Sequence, residues 1–205
     1  KNGSKCSRPR QHSCRASPME DEGYMRIALD EARLAMSEGE VPVGCVLIDR
    51  DSGVVLARAG NETNRSRNGT RHCEFVAAER LRRQVDGPKS LRNSRLYVTL
   101  EPCIMCAAAL KYLGVPEVVY GSANARFGGC GGVFSIHTMV IPKSGSLESG
   151  ADAPRQELPS FDCRGGVLAE EAVDLLRDFY ATGNPNAPDA KRHRPLPSAL
   201  AGVDS

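Results

Sequence analysis

The sequence predicts an α/β domain in which helices cover a partly parallel sheet. Short apolar runs at 43–48, 54–57, 96–100 and 118–120 have the length and composition of buried strands. Segments with apolar residues at helical spacing lie between them, and strands that alternate with helices are typical of a layered α/β fold. A chain of 205 residues is long enough for one domain with a sizeable core, which we place at 17–183.

The first helix has a well-defined start. Ser17 is a suitable N-cap, Pro18 fits the first helical position, and Glu20 completes a capping box. Apolar residues then recur at helical spacing until Gly39, which we expect to end the helix. They are Met25, Ala28, Leu29, Ala32, Ala35 and Met36.

The next elements follow from turn signals and periodicity. The strands at 43–48 and 54–57 flank a turn-forming segment and predict a β-hairpin, and a polar loop follows at 61–71. The Gly-rich segment 128–132 predicts a flexible turn near the site, because no Gly-Lys-Ser/Thr sequence follows it as in a phosphate loop. Residues 142–160 predict a surface loop. The remaining helices are expected at about 72–85, 102–113 and 168–180.

Composition argues against several classes of protein. No segment is long and apolar enough to span a bilayer, and no secretory h-region is present near the start. The eight cysteines are spread through the chain, which favours thiols in a reducing compartment over a disulfide framework. We expect a protein of the cytoplasm, the nucleus or both, with no membrane partner.

Basic residues are concentrated in three clusters. Residues 1–16 carry five basic and no acidic side chains, lack apolar periodicity and predict a disordered tail. A second cluster, at 191–194, lies in a basic C-terminal tail that we place at 184–205. Clusters of this kind either bind phosphates or keep a surface solvated, and the sequence leaves both interpretations open. The third cluster comprises Arg58, Arg65, Arg67 and Arg71.

Two short motifs, His72-x-Glu74 and Cys103-x-x-Cys106, carry the chemistry. One imidazole and two thiolates can hold a zinc ion and leave its fourth position open for water, as in catalytic sites. The two cysteines are three residues apart at a predicted helix start, so both can face one side, and the positive potential there favours thiolates. The Glu74 carboxylate would move the protons that a hydrolysis requires.

Each motif alone has a simpler explanation. A lone Cys-x-x-Cys pair could be a redox pair or half of a structural zinc site, but two motifs, each at a predicted helix start, favour catalytic zinc. The other cysteines and histidines have no partner at ligand spacing, so we predict packing, surface or tail roles for them. They are Cys6, Cys14, Cys45, Cys130, Cys163, His12, His137 and His193.

His-x-Glu followed by Pro-Cys-x-x-Cys is the signature of zinc deaminases that act on nucleobases. On these motifs the chain resembles the cytidine-deaminase-like superfamily and, within it, the catalytic subunits of the eukaryotic heterodimeric tRNA adenosine deaminases. The resemblance covers about residues 19–190. Its segments are 40–44, 60–62, 70–74, 97–110, 119–121, 126–131 and 184–188.

The resemblance implies a three-layer α-β-α fold with a mixed central sheet of about five strands. It implies zinc-dependent hydrolysis of adenosine to inosine at the first anticodon position of tRNAs, with Glu74 as the catalytic residue and His72, Cys103 and Cys106 as metal ligands. It also implies a heterodimer with a homologous subunit that lacks the catalytic glutamate. The implied substrate-binding residues are Asn61, Cys73, Val43 and Pro102, and the implied tRNA contacts are Lys191, Arg192, Arg194 and Arg126.

The sequence departs from the family pattern at Cys73, where alanine is usual. We expect Cys73 to pack as a buried apolar residue, because a fourth protein ligand on the metal would close the position needed for water. The predicted loop at 142–160 is also longer and more polar than the family pattern.

Two other functions stay open. A deaminase of free guanine, cytosine or deoxycytidylate would share the metal and glutamate motifs, although the basic clusters and the segment that begins at Arg126 favour RNA. The second is a non-enzymatic, zinc-stabilised RNA-binding subunit, against which the presence of Glu74 argues.

Overall fold

The computed structural model describes residues 17–84, 90–141 and 157–182, in which helices cover a five-stranded sheet. The helices are α1 (Pro18–Ser37), α2 (Thr63–Ser66), α3 (Cys73–Arg83), α4 (Ile104–Leu113) and α5 (Ala169–Thr182). The strands are β1 (Gly44–Asp49), β2 (Val55–Gly60), β3 (Ser94–Leu100), β4 (Glu117–Ser122) and β5 (Asp162–Arg164). The predicted α/β class is confirmed.

The sheet is mixed, as predicted. Its strand order is β2-β1-β3-β4-β5, with β1 antiparallel to both β2 and β3, whereas β3, β4 and β5 run parallel. The parallel half directs the carboxyl end of β3 towards the start of α4. Open α/β sheets usually bind their ligands at such an edge.

Side chains of the central strands alternate between two core layers. On β1, Cys45 and Leu47 belong to the layer that contains α3 and α4, whereas Val46 and Ile48 belong to the layer of α1 and α5. All four side chains are buried. The sheet thus lies between two helical layers, which confirms the three-layer arrangement.

Helix α1 begins as its sequence predicts. The Ser17 Oγ accepts the Glu20 N–H at 3.3 Å, and the Glu20 carboxylate accepts the Ser17 N–H at 2.8 Å, which completes the capping box. The helix ends at Ser37, and Gly39 follows in a left-handed conformation with φ of 76°. None of the described helices is long and apolar enough to cross a membrane.

Two observed elements, α2 and β5, have no counterpart in the sequence prediction. Helix α2 is a single turn inside the predicted loop at 61–71, and β5 has only three residues, so neither is long enough to display an apolar period. The tails predicted at 1–16 and 184–205 lie outside the described residues, as does most of the loop predicted at 142–160. The domain boundaries therefore stay predictions.

A buried carboxylate, that of Glu40, fixes the loop that contains α2. Its Oε1 accepts the N–H of Arg65 at 2.7 Å, and its Oε2 accepts the N–H of Asn64 at 2.9 Å and the hydroxyl of Thr63 at 3.1 Å. The first amides of a helix have no acceptor within the helix. The Glu40 carboxylate, which precedes β1 in the sequence, supplies an acceptor for the first amides of α2. The contacts hold the segment that immediately follows Asn61.

We expect Glu40→Ala to lower the free energy of unfolding by roughly 2–4 kcal/mol, because two partly buried amide bonds and a hydroxyl lose a charged acceptor that is itself completely buried. Chemical denaturation of the variant measures this loss. Glu38→Ala is the matched control, since Glu38 is 41% exposed and pairs with Arg65 at the surface. A surface pair contributes about 0–1 kcal/mol, so equal losses in the two variants would contradict the anchoring role of Glu40.

Candidate active site

The amino ends of α3 and α4 meet at the candidate active site. His72 is the N-cap of α3 and Cys103 is the N-cap of α4, while Cys106 lies in the first turn of α4. The His72 Nδ1 is 3.6 Å from the Cys103 Sγ and 3.4 Å from the Cys106 Sγ. We call these three residues the first cluster; the structure brings all three predicted metal ligands together.

Local sequence explains why the three donors converge. A cap residue has an extended backbone, so its side chain projects beyond the helix end. Both caps have this conformation, with ψ of 155° at His72 and 167° at Cys103. Pro102 precedes the second cap, and its carbonyl accepts the N–H of Gly129 at 2.8 Å, which ties the start of α4 to the Gly-rich segment.

The first cluster fits a zinc ion. Zinc–sulfur bonds of about 2.3 Å and zinc–nitrogen bonds of about 2.0–2.1 Å place tetrahedral ligands roughly 3.5–3.8 Å apart, close to the distances from His72 Nδ1 to both sulfurs. Hydrogen bonds from Cys106 and His72 lower the pKa of the Cys103 thiol to about 4. The same contact raises the pKa of His72, since the imidazole donates to that sulfur. Two thiolates and an imidazole leave one tetrahedral position for a reactant.

Glu74, the predicted catalytic residue, lies in the first turn of α3 and is buried. Burial raises the pKa of its carboxyl group. A carboxylate in such surroundings takes up and releases a proton more readily near neutral pH than an exposed one does. Its Oε2 accepts the thiol of Cys73 at 3.3 Å.

Cys73 packs in the core, as predicted, and is not part of the first cluster. The residue is completely buried, and burial raises the pKa of its thiol well above the ordinary value. Its neighbour across the core is the buried thiol of Cys45, and the contact between the two thiols raises the pKa of Cys73 further. A neutral thiol that donates to Glu74 leaves the fourth metal position free.

The structure places the other predicted pocket residues around the start of α3. The Asn61 Oδ1 accepts the N–H of Cys73 at 2.9 Å, and the Asn61 N–H donates to the carbonyl of Val43 at 3.0 Å. Asn61 thus fixes the helix end that carries His72 and Glu74. The contacts of Asn61, Cys73, Val43 and Pro102 with a substrate stay predictions.

Glu101 is a residue of this region that sequence reasoning missed. It is buried, and its carboxylate accepts the N–H groups of Asn124 at 2.8 Å, Cys130 at 2.9 Å and Gly132 at 2.9 Å. A negative charge satisfied by three amides holds the segment 124–132 against the start of α4. The only sign in the sequence is an acidic residue between an apolar strand and the cysteine motif.

A second group of side chains that could hold a metal ion was also missed. Cys130, His137 and Cys163, which we call the second cluster, were predicted to have packing, surface or tail roles because none has a partner at ligand spacing. The structure brings their ligand atoms within 4.8 Å of one another. Tertiary contacts bring these three residues together, and no local sequence pattern links them.

The predicted RNA contacts are only partly within the described residues. Arg126 is exposed, and its guanidinium carbon lies 5.0 Å from the centroid of the exposed Phe127 ring. Lys191, Arg192 and Arg194 lie outside the described residues, so their contact with tRNA stays a prediction.

The third basic cluster is largely neutralised by acidic residues. Among its four arginines, only Arg67 has no ion pair within the part of the chain that the structure describes. This surface therefore offers less free positive charge than the sequence suggests. The pairs are Arg58–Glu31, Arg65–Glu38, Arg65–Glu62, Arg71–Glu62 and Arg71–Glu79.

Comparisons with known proteins agree with this geometry. The family model for the cytidine and deoxycytidylate deaminase zinc-binding region matches residues 18–122. A relative from Danio rerio named tRNA-specific adenosine deaminase 2 is 41% identical over 180 residues, which cover 85% of this chain and 77% of the relative.

Solved structures show the same fold. One, from a study of A-to-I editing by tRNA:A34 deaminases at the wobble position of transfer RNA, is 30% identical with a TM-score of 0.57 and covers 75% of this chain and 99% of that chain. A guanine deaminase from Nitrosomonas europaea is 23% identical, with a TM-score of 0.57 over 78% of this chain and 84% of that chain. The second likeness concerns the fold alone.

The family match spans both metal motifs, and the relative from Danio rerio is similar over most of both chains. The distances between His72 and the two cysteines fit zinc, the metal named in the description of the family model. The chain therefore belongs to the zinc-binding cytidine and deoxycytidylate deaminase family and, within it, to the tRNA-specific adenosine deaminases.

Proposed function

We propose that this chain is the catalytic subunit of an enzyme that converts adenosine to inosine at the first anticodon position of tRNA. The observation that carries the proposal is the buried Glu74 carboxylate on the same helix end as His72, opposite Cys103 and Cys106. The relative from Danio rerio supports the substrate class, because its name specifies tRNA and adenosine.

The reaction consumes water and releases ammonia. Zinc held by the first cluster would lower the pKa of a bound water from about 15.7 to roughly 7 and so supply hydroxide at neutral pH. Glu74 accepts the proton of the attacking water and delivers it to the ring nitrogen beside the carbon that bears the amine. Glu74 then passes the second proton to the departing amine, and inosine remains. The raised pKa of the Glu74 carboxyl suits a group that gains and loses a proton in each turnover.

A base in the anticodon loop suits a site of this kind. The loop is single-stranded, so turning its first base outward costs little unpairing energy. The Asn61 side chain binds the Cys73 amide beside Glu74, and its contact with an inserted base is part of the proposal. Fixing the base against the rigid ends of α3 and α4 would align its amine-bearing carbon with the reacting water.

The exposed pair Arg126 and Phe127 favours RNA over a free base. A cation and an aromatic ring side by side can bind phosphate and stack on an unpaired base, the two contacts that RNA loops use most. The segment that carries them is joined to the active site, since the Ile104 N–H donates to the Phe127 carbonyl at 2.9 Å. With a tRNA substrate, we expect the enzyme in the cytoplasm, the nucleus or both.

We also propose that a homologous, non-catalytic deaminase-like subunit docks on the groove between α3 and α4. This groove has a volume of about 800 Å³ and combines apolar side chains with charges at its rim. Tyr112, which lines it, is 69% exposed although it belongs to a helix that packs on the sheet. Aromatic residues are enriched in protein interfaces. The apolar lining residues are Phe75, Ala78, Ala109, Tyr112 and Leu113.

We expect Glu74→Gln to reduce inosine formation at least 10²-fold, because the amide cannot carry the protons of the reaction. The substrate is a tRNA with adenosine at the first anticodon position, and the enzyme is purified with its candidate partner. Nuclease digestion and mass spectrometry measure inosine, and zinc content checks that the variant keeps its metal.

Asp174→Asn is the matched control, because Asp174 lies on α5, lines neither the active site nor the proposed groove, and pairs with Arg177 at the surface. This variant should keep its activity. No inosine from the wild-type heterodimer with zinc bound would contradict the proposal. Turnover of guanine, cytosine or deoxycytidylate in parallel reactions would then identify a small-molecule deaminase.

We expect Tyr112→Glu to weaken the heterodimer at least 10-fold, because a charge replaces an aromatic ring in the proposed interface. Native mass spectrometry or size-exclusion chromatography with the partner subunit measures this change. Val54→Glu, at a position 58% exposed at the end of the β1–β2 turn, is the control and should leave association unchanged. Equal association of both variants with the partner would exclude this groove as the interface.

A further inference from the structure

We propose that the second cluster, Cys130, His137 and Cys163, binds a second zinc ion. Its ligand atoms, two sulfurs and one imidazole nitrogen, lie within 4.8 Å of one another, the same limit that the first cluster meets. Tetrahedral zinc holds such atoms roughly 3.5–3.8 Å apart, so binding requires only small side-chain movements. Among the described residues, these two clusters offer zinc the same set of donors.

The backbone already holds the two cysteines of the second cluster in position. The Cys130 N–H donates to Glu101 Oε1 at 2.9 Å, and the Cys130 carbonyl accepts the Cys163 thiol at 3.5 Å. Cys163 lies on β5, where it pairs with Val118 of β4 in the parallel sheet. Ligands on such fixed backbone lose little freedom when a metal binds.

His137 provides the observation that points to a ligand. Its Nδ1 is buried and has no hydrogen-bond partner among the described residues. The rest of the residue is well held, since its carbonyl accepts the Lys111 Nζ at 3.1 Å and the Phe161 N–H at 3.2 Å. Buried polar atoms in proteins almost always have a partner, and a metal ion beside the two thiols would supply one.

The histidine also distinguishes a metal site from a disulfide. A disulfide between Cys130 and Cys163 would use both sulfurs and still leave the His137 nitrogen without a partner. Zinc is the metal expected for a small set of thiolate and imidazole donors, with water completing the tetrahedron.

A metal in the second cluster would restrict the backbone next to the start of α4, which carries ligands of the first cluster. It would join the Gly-rich segment 128–132 and the turn after it to β5, which lies much later in the sequence. Gly129 lies against the start of α4, where an added Cβ would be only 3.1 Å from the Cys103 carbonyl oxygen. Fixing the neighbouring Cys130 therefore restricts the backbone that carries a ligand of the first cluster.

The zinc content of the purified full-length protein tests the proposal. Mass spectrometry of the metal, after loosely bound ions are removed, should find two zinc ions in the wild-type chain. Cys163→Ser should lose one of them. Cys45→Ser, a buried cysteine outside both clusters, should keep both. A wild-type chain with one zinc ion overturns the proposal, and so does a Cys130–Cys163 disulfide found by peptide mapping.

His137→Phe gives a second readout that does not depend on enzyme activity. The new ring keeps the contact with Phe161, whose centroid lies 5.8 Å from that of His137, and removes the unpartnered nitrogen. If no metal binds, this variant should be as stable as the wild type or more so. We expect instead a lower melting temperature and the loss of one zinc ion. An unchanged zinc content in a folded His137→Phe variant would refute the site.

Cobalt(II) separates the two sites directly. In a Cys103→Ser/Cys106→Ser chain, whose first cluster has no thiol left, added cobalt should still produce thiolate-to-cobalt charge-transfer absorption from the second cluster. Absence of this absorption in the folded double variant would count against the proposal even if the Cys163→Ser variant fails to fold. The absorption should disappear when His137→Phe is added.

Discussion

The meeting of two helix N-termini at one edge of the sheet is the constraint on which the candidate active site depends. His72 and Cys103 are cap residues, so their side chains extend past the helix ends towards each other. The distance between those ends is set by how α3 and α4 pack on the same face of the sheet. Buried alanines such as Ala77 and Ala107 let both helices lie close to it. A metal site with three ligands thus follows from core packing as much as from the ligands themselves.

Buried carboxylates stabilise the irregular segments around this edge. Glu40 and Glu101 both accept hydrogen bonds from several backbone amides, and neither relies on a neighbouring arginine for these contacts. Charged acceptors form stronger hydrogen bonds with amides than neutral ones do, so one side chain can order a whole loop. Glu40 orders the segment after Asn61, and Glu101 orders the segment that carries Arg126. The rigid metal centre and the surface proposed to bind RNA are therefore parts of one connected arrangement.

Periodicity and motifs predicted most of the fold and the first cluster. The capping box at Ser17 and the apolar spacing of α1 are local, so a single sequence reveals them. The cysteines of the first cluster are also local, because a separation of three residues places them on one side of a helix start. The short strand β5 was missed, since three residues form a strand only when a neighbour such as β4 supplies hydrogen bonds.

The sequence by itself determined the secondary structure of the long elements, and it predicted the three donors of the first cluster and the role of Glu74 as a proton carrier. These features depend on residue type and short-range spacing, both of which can be identified in a single sequence. The burial of Cys73 was expected, but only the tertiary structure decided that its neighbour there is Cys45 and that Glu101 binds three distant amides. It alone assembled the second cluster, because sheet pairing and loop closure bring together residues that no period connects.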